Sequence, residues 1–170
     1  DEQPLSAKPE KIPTLRPAFK KDGTITAANA SSISDGASAL VITSEQTAQA
    51  RGLKPLAKVA AYASHSQHPS EFTIAPVGAI EKALQKAGWE ANDVDLWEVN
   101  EAFAMVTMLA IDGFNLDEAK VNVNGGACSL GHPLGSSGSR IIVTLIHALK
   151  RTGGKKGVAA LCIGGGEATA

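Results

Sequence analysis

A chain of 170 residues that is 44% hydrophobic can bury one substantial core. A formal net charge of −1 with both signs interspersed leaves no nucleic-acid footprint, and no apolar run reaches the roughly 18 residues of a membrane span. Two cysteines, Cys128 and Cys162, are too few for a disulfide scaffold and suit a reducing compartment, the cytoplasm first and the mitochondrial matrix second.

Residues 1–22 carry Pro4, Pro9, Pro13 and Pro17, which forbid regular structure and predict an extended loop. The stretch 23–36 (GTITAANASSISDG) is small and polar and reads as a loop. Residues 37–43 (ASALVIT) make a short buried strand candidate. Ser44 then caps a helix, with Thr47 in place of the usual capping-box Glu, that ends near Gly52. A weakly alternating strand is expected over 53–64 (LKPLAKVAAYAS), then a loop with His65, His68 and Pro69. Pro76 suits the first turn of a helix whose Ala79, Ile80, Ala83, Leu84 and Ala87 share a face, and Gly88 ends it.

Residues 94–99 (VDLWEV) form the next strand, which runs into Asn100-Glu101-Ala102-Phe103 and an apolar helix to about Ile111. A strand at 121–124 breaks into a bend holding Gly125, Gly126, Gly131, Gly135 and Gly138. A helix over 137–151 follows, with Lys150 and Arg151 in its last turn. Residues 158–163 (VAALCI) are an unbroken apolar run, the mark of a strand covered on both faces. From Leu53 onward the order is β-α-β-α-β-α-β, which predicts an α/β fold with a parallel sheet and helices on both faces. Ligands bind such sheets beyond the carboxyl ends of the strands. Asn100, His132 and the CIGGG run at 162–166 all fall there, so they are expected to meet on one rim.

His132 stands in the glycine bend just before a helix start, which disfavours imidazolium and leaves a neutral ring ready to exchange a proton. Cys162 precedes three glycines whose backbone N–H groups can form an anion nest that would favour a thiolate; a buried inert cysteine is the other reading, and the CIGGG context favours the first. Asn100 offers an amide to a substrate or a water, and Glu101 braces the junction. Cys128 and His132 would make only half a metal site, and no further ligands stand at recognisable spacing, so no metal is expected. The glycines of the bend do not match G-x-G-x-x-G, and no GK[ST] marks a P-loop. His65, His68 and His147 read as loop or helix residues without chemistry.

Three segments taken together, EVNEAF at 98–103, NGGACSLGHPLGSSG at 124–138 and CIGGG at 162–166, resemble the thiolases, and DGTITAANASSISDG at 22–36 extends the likeness to nearly the whole chain. Thiolases make or cleave 3-ketoacyl-CoA thioesters and are built from two similar βαβαβαββ halves plus a loop region that holds coenzyme A. The resemblance implies that residues 1–36 end the loop region, 37–52 close the first half, and 53–170 form most of the second half, with its final antiparallel strand after Ala170. The chain begins without Met and stops just after a glycine cluster, so both ends read as cuts in a longer protein. The family's nucleophilic cysteine would then lie in the missing half.

By the same resemblance His132 would be the base that activates that nucleophile, Asn100 would hold a water beside it, and Cys162 would remove and return the α-proton. The Gly164 N–H would serve an oxyanion hole, Ser31 would touch coenzyme A, and Phe72 and Phe103 would shape the acyl pocket. The third glycine of CIGGG favours the biosynthetic class, which condenses two acetyl-CoA into acetoacetyl-CoA and reverses it by thiolysis. Ala28, Cys128 and Glu167 depart from the family's commoner residues. Coenzyme A enters as substrate, no cofactor is implied, and a homo-oligomer is expected of the complete protein. Three rivals remain: a degradative 3-ketoacyl-CoA thiolase, a non-catalytic lipid carrier or scaffold of this fold, and a ketoacyl synthase, which would want a second histidine at Asn100.

Overall fold

The computed structural model describes residues 2–170. Its elements, in chain order, are α1 (Glu2–Ser6), α2 (Glu45–Ala50), β1 (Ser64–Ser66), α3 (Ala75–Ala87), β2 (Leu96–Val99), α4 (Ala104–Phe114), α5 (Ala127–Leu130), α6 (Leu134–Thr152), β3 (Gly157–Ile163) and β4 (Glu167–Thr169). The sheet runs β1-β4-β3-β2. Strands β2 and β3 are parallel, while β4 lies antiparallel to both β3 and β1.

The alternation of side chains along a strand decides the layers. Trp97 and Val99 of β2, with Val158 and Ala160 opposite them on β3, face one way. They pack with Ile80 and Leu84 of α3 and Val106 and Ala110 of α4. Leu96 and Ala159 point the other way, to Leu145, Ala148 and Leu149 of α6. The expected helices on both faces are therefore present. Helix α3 forms because its small and aliphatic residues recur on one face, Pro76 occupies the first turn and Gly88 ends it in the left-handed conformation. Trp97 is the largest side chain in this core. Its loss to Ala would cost about 3–5 kcal/mol.

Several expectations are corrected. The sheet is mixed rather than parallel, because the chain turns back at Gly164-Gly165-Gly166 and pairs Ile163 with Glu167. The antiparallel strand placed after Ala170 thus already begins within the chain as β4. Residues 37–43 form no strand, and Val41 and Ile42 are 97% and 78% exposed. Residues 53–63 are likewise irregular, with Leu53, Leu56, Val59 and Tyr62 exposed. A strand needs a neighbouring strand for its backbone groups, and among the described residues of this stretch only Ala63 pairs across to one, with Ala170, while Leu53 bonds back to Ala48 of the preceding helix.

The expected strand at 121–124 shrinks to one bridge between Val121 and Trp97, since Asn122 turns left-handed at φ 47°. The proline-rich start is not wholly irregular: α1 and a 3-10 helix at Pro9–Thr14 form there, the latter with proline in its first turn, where the missing N–H is no loss. Asp1 lies outside the described residues. His65, expected in a loop, belongs to β1, and Pro69–Glu71 form a 3-10 turn. Helix α6 starts three residues before the expected Ser137. The Ser44 cap is as expected: its Oγ accepts from the Thr47 N–H at 3.1 Å.

Candidate active site

The sheet's carboxyl end is where the site forms. Strand β2 ends at Val99, and the next residue, Asn100, donates its backbone N–H to the Ala160 carbonyl of β3 at 2.9 Å. Asn100 is only 2% exposed. Cys162 lies two residues further along β3, so the asparagine and the thiol share one rim of two adjacent strands. Gly164 opens the turn between β3 and β4, and a Cβ added to it would meet nothing within 4 Å, so its backbone is approachable.

His132 reaches the same rim from the glycine bend. Its backbone N–H donates to the Ser32 carbonyl at 2.9 Å, and Ile33 bridges to it, so the 23–36 loop holds the bend from outside. Gly131, just before it, has φ +91°, and any Cβ there would run into Ser34. Only glycine satisfies both conditions. The Asn100 side-chain amide meets His132 Nε2 at 3.3 Å, while His132 Nδ1 meets Ser137 Oγ at 2.6 Å. Ser137 Oγ donates its own proton to the Pro133 carbonyl at 3.0 Å. It must therefore accept from Nδ1–H, which leaves Nε2 bare and facing the Asn100 amide donor. The Asn100 Oδ1 is buried without a partner among the described residues.

The electrostatics suit a neutral ring. Burial, then the Arg140 guanidinium, hold the His132 imidazole below its ordinary value. The thiolate expected at Cys162 is corrected: burial pushes its thiol up, outweighing its backbone hydrogen bond, and it rests as SH. Cys128 is pushed up to about 11, by burial first and then by the Glu101 carboxylate, which disfavours its thiolate. No group of three or more His, Cys, Asp or Glu among the described residues could hold a metal ion.

The remaining candidates divide. Phe72 and Phe103 meet edge to face at 6.1 Å, and Phe19, which sequence reasoning missed, joins Phe103 at 6.0 Å. Ser31 does not point freely outward: its N–H and Oγ both donate to the Ala102 carbonyl, at 3.1 and 2.9 Å. No hydrogen bond among the described residues joins Cys162 to His132. Ser137 was also missed. The available signal was its place in the first turn of the helix that follows His132.

The chain as a whole resembles known proteins. Residues 53–170 match the family model described as Thiolase, C-terminal domain, and residues 1–46 match Thiolase, N-terminal domain. A mouse relative, the cytosolic acetyl-CoA acetyltransferase, is 50% identical over 163 residues, covering 95% of this chain and 41% of the relative. The crystal structure of human mitochondrial 3-ketoacyl-CoA thiolase superposes with a TM-score of 0.92 at 49% identity, over 96% of this chain and 42% of that one. A thiolase from Ascaris suum, solved in complex with coenzyme A, gives a TM-score of 0.86 at 45% identity, over 99% and 44%. The chain spans about two fifths of the length of each.

Proposed function

The chain belongs to the thiolase family, and from that premise we propose that the complete protein condenses two acetyl-CoA into acetoacetyl-CoA and catalyses the reverse thiolysis. The observation that carries the reading is the His132 ring, held between Ser137 at 2.6 Å and Asn100 at 3.3 Å with Nε2 bare. A bare, half-buried, neutral imidazole nitrogen is what a thiol needs in order to lose its proton and attack a thioester.

In this reading a cysteine from the preceding half gives its proton to His132 Nε2, attacks acetyl-CoA and expels CoA as a thiolate, which takes the proton of Cys162–SH and departs as CoASH. The Gly164 N–H supports the thioester oxyanion of the acyl-enzyme. The Cys162 thiolate left by that transfer then takes the α-proton of the second acetyl-CoA. The enolate oxygen is then met by the protonated Nε2 and by a water on Asn100, whose orphaned Oδ1 is suited to hold it. The enolate carbon attacks the acetyl carbonyl, the enzyme thiolate leaves and recovers its proton from His132 Nε2, and the proton on Cys162 is available for the reverse direction. Burial keeps Cys162 an SH at rest, which suits a group that gives its proton to the departing CoA before it takes the α-proton.

Phe72 and Phe103 wall the acyl end and favour short chains, and Ser31, its proton committed to Ala102, meets coenzyme A as an acceptor. A cytoplasmic homo-oligomer is part of the same proposal; the mouse relative is named cytosolic and the human structure mitochondrial. The likeness to a 3-ketoacyl-CoA thiolase favours one second reading, a degradative enzyme for longer chains.

The test is thiolysis by the complete protein, with acetoacetyl-CoA and with a longer 3-ketoacyl-CoA, beside the 170-residue chain alone. The proposal expects the complete protein to cleave acetoacetyl-CoA best and the chain alone to be inactive. A preference for the longer substrate moves the assignment to the degradative class. An inactive complete protein leaves a non-catalytic carrier or scaffold, and turnover by the chain alone would mean that it holds its own nucleophile.

A further inference from the structure

Asn122 and Glu101 lie beside the site, and neither carries a chemical step in the scheme above. Asn122 sits where the 121–124 run stops, with φ 47°. Its backbone N–H donates to the Trp97 carbonyl at 2.8 Å. Its side chain then does the work of a missing strand. The Oδ1 accepts the Val99 N–H at 2.9 Å and the Nδ2 donates to the Val99 carbonyl at 2.8 Å. A left-handed residue cannot continue a ladder, but its amide reproduces one more rung of it.

The same Nδ2 also donates to Glu101 Oε1 at 3.0 Å, and Glu101 Oε2 accepts the Cys128 N–H at 3.1 Å. Room for that carboxylate exists because residue 126 is glycine. A Cβ there would lie 2.1–2.3 Å from the three carboxylate atoms. Val99 and Glu101 are the chain neighbours of Asn100. Asn122 and Cys128 begin the bend that runs through α5 to His132. Each end of this network is thus tied to one member of the Asn100–His132 pair.

We propose that Asn122 and Glu101 form a positioning clamp that locks the glycine bend to the end of β2 and so sets the approach of His132 Nε2 to Asn100. The proposal deepens the reading of the site as a thiolase centre and rests on it. Glu101 is the better lever. Glutamine keeps its size but presents one NH2 and one oxygen where two donors, Asn122 Nδ2 and the Cys128 N–H, require two acceptors. One donor must then face another, and the bend must move. Changing Asn122 to Asp in the same molecule restores a donor–acceptor match between positions 101 and 122, but sets an Asp oxygen against the Val99 carbonyl that Nδ2 served at 2.8 Å and Thr107 Oγ1 serves at 2.9 Å, so the recovery is partial.

The experiment uses the complete protein and three forms: wild type, Glu101→Gln, and Glu101→Gln with Asn122→Asp. Readouts are kcat and KM for acetoacetyl-CoA thiolysis, the fraction folded, and the Asn100–His132 distance in crystals. A misplacement of about 1 Å costs roughly 100-fold in rate. The clamp therefore predicts a kcat loss of that order in folded Glu101→Gln, KM little changed, a lengthened Asn100–His132 contact, and partial recovery of both in the double variant. Native kcat per folded molecule with an unmoved pair would overturn the proposal, as would a loss that the double variant does not relieve. Should wild type prove inactive, the functional reading falls, and the crystal distances alone still decide whether the clamp sets the pair.

Discussion

Ser137→Ala probes the arrangement of His132 without touching a reacting atom. Ser137 is fully buried, and its Oγ is the partner of His132 Nδ1 at 2.6 Å. Alanine leaves the Nδ1–H buried and unpaired, which costs about 1–3 kcal/mol. The Pro133 carbonyl suffers little, since it keeps the N–H groups of Ser136 and Ser137 at 2.8 and 2.9 Å. Helix propensity returns about 0.5 kcal/mol in favour of alanine. The net destabilisation is therefore about 0.5–2.5 kcal/mol, readable in a urea melt of the complete protein. The rate effect should be larger. Without the Nδ1 acceptor the ring is free to turn and to carry its proton on Nε2, the atom that must be bare. A loss of roughly 100-fold in kcat/KM for acetoacetyl-CoA thiolysis follows. A folded Ser137→Ala enzyme with native kcat/KM would refute the tautomer argument, whatever its melt showed.

Three further outcomes are expected of the complete protein. Cys162→Ala should stop exchange of acetyl-CoA α-protons with solvent while sparing acylation of the nucleophile; exchange at the native rate would remove the role given to this thiol. Because burial and Arg140 hold His132 below its ordinary value, the neutral ring survives into acid, so the acid limb of kcat/KM should fall below the usual histidine range, and a limb at or above about 6.5 would contradict this. Glu98, 2% exposed, is raised from 4.5 to about 7 by burial and then by Glu101, against Arg140. The folded state holds that proton after the unfolded chain has lost it, so this group's stabilisation declines as pH rises from about 4.5 to about 7. Glu98→Gln should remove that slope from urea melts taken between about pH 5 and about pH 8.

What could be read from residues alone depended on whether the signal was local. Helix α3 was legible because its apolar face, Pro76 and Gly88 all act within one element, and β3 because an unbroken apolar run leaves little choice. The readings of 37–43 and 53–64 as strands used the same apolar content. They failed because a strand is completed by a neighbour, and the described chain supplies one only from Ala63 on. The mixed sheet was missed for a related reason. Gly164-Gly165-Gly166 reads as easily as a ligand-binding loop as the tight turn it makes between β3 and β4.

At the site, His132 and Asn100 stood out by residue type and neighbours, and the structure brings them into contact. Ser137 and Asn122 did not stand out, because their importance lies in partners distant in the chain or in a left-handed φ that sequence does not announce. The state of Cys162 was misjudged because glycines beside a thiol suggest an anion nest, whereas the burial that decides its protonation is set by the whole fold.

The measurement closest to the central claim is kcat for CoA-dependent cleavage of acetoacetyl-CoA by the complete protein carrying His132→Ala, with its fold checked against wild type. On the proposed mechanism the variant loses the base for the nucleophile and one of the two donors to the enolate oxygen together. Its cleavage should fall to near background while the fold persists. A folded His132→Ala protein with near-native kcat would contradict the account.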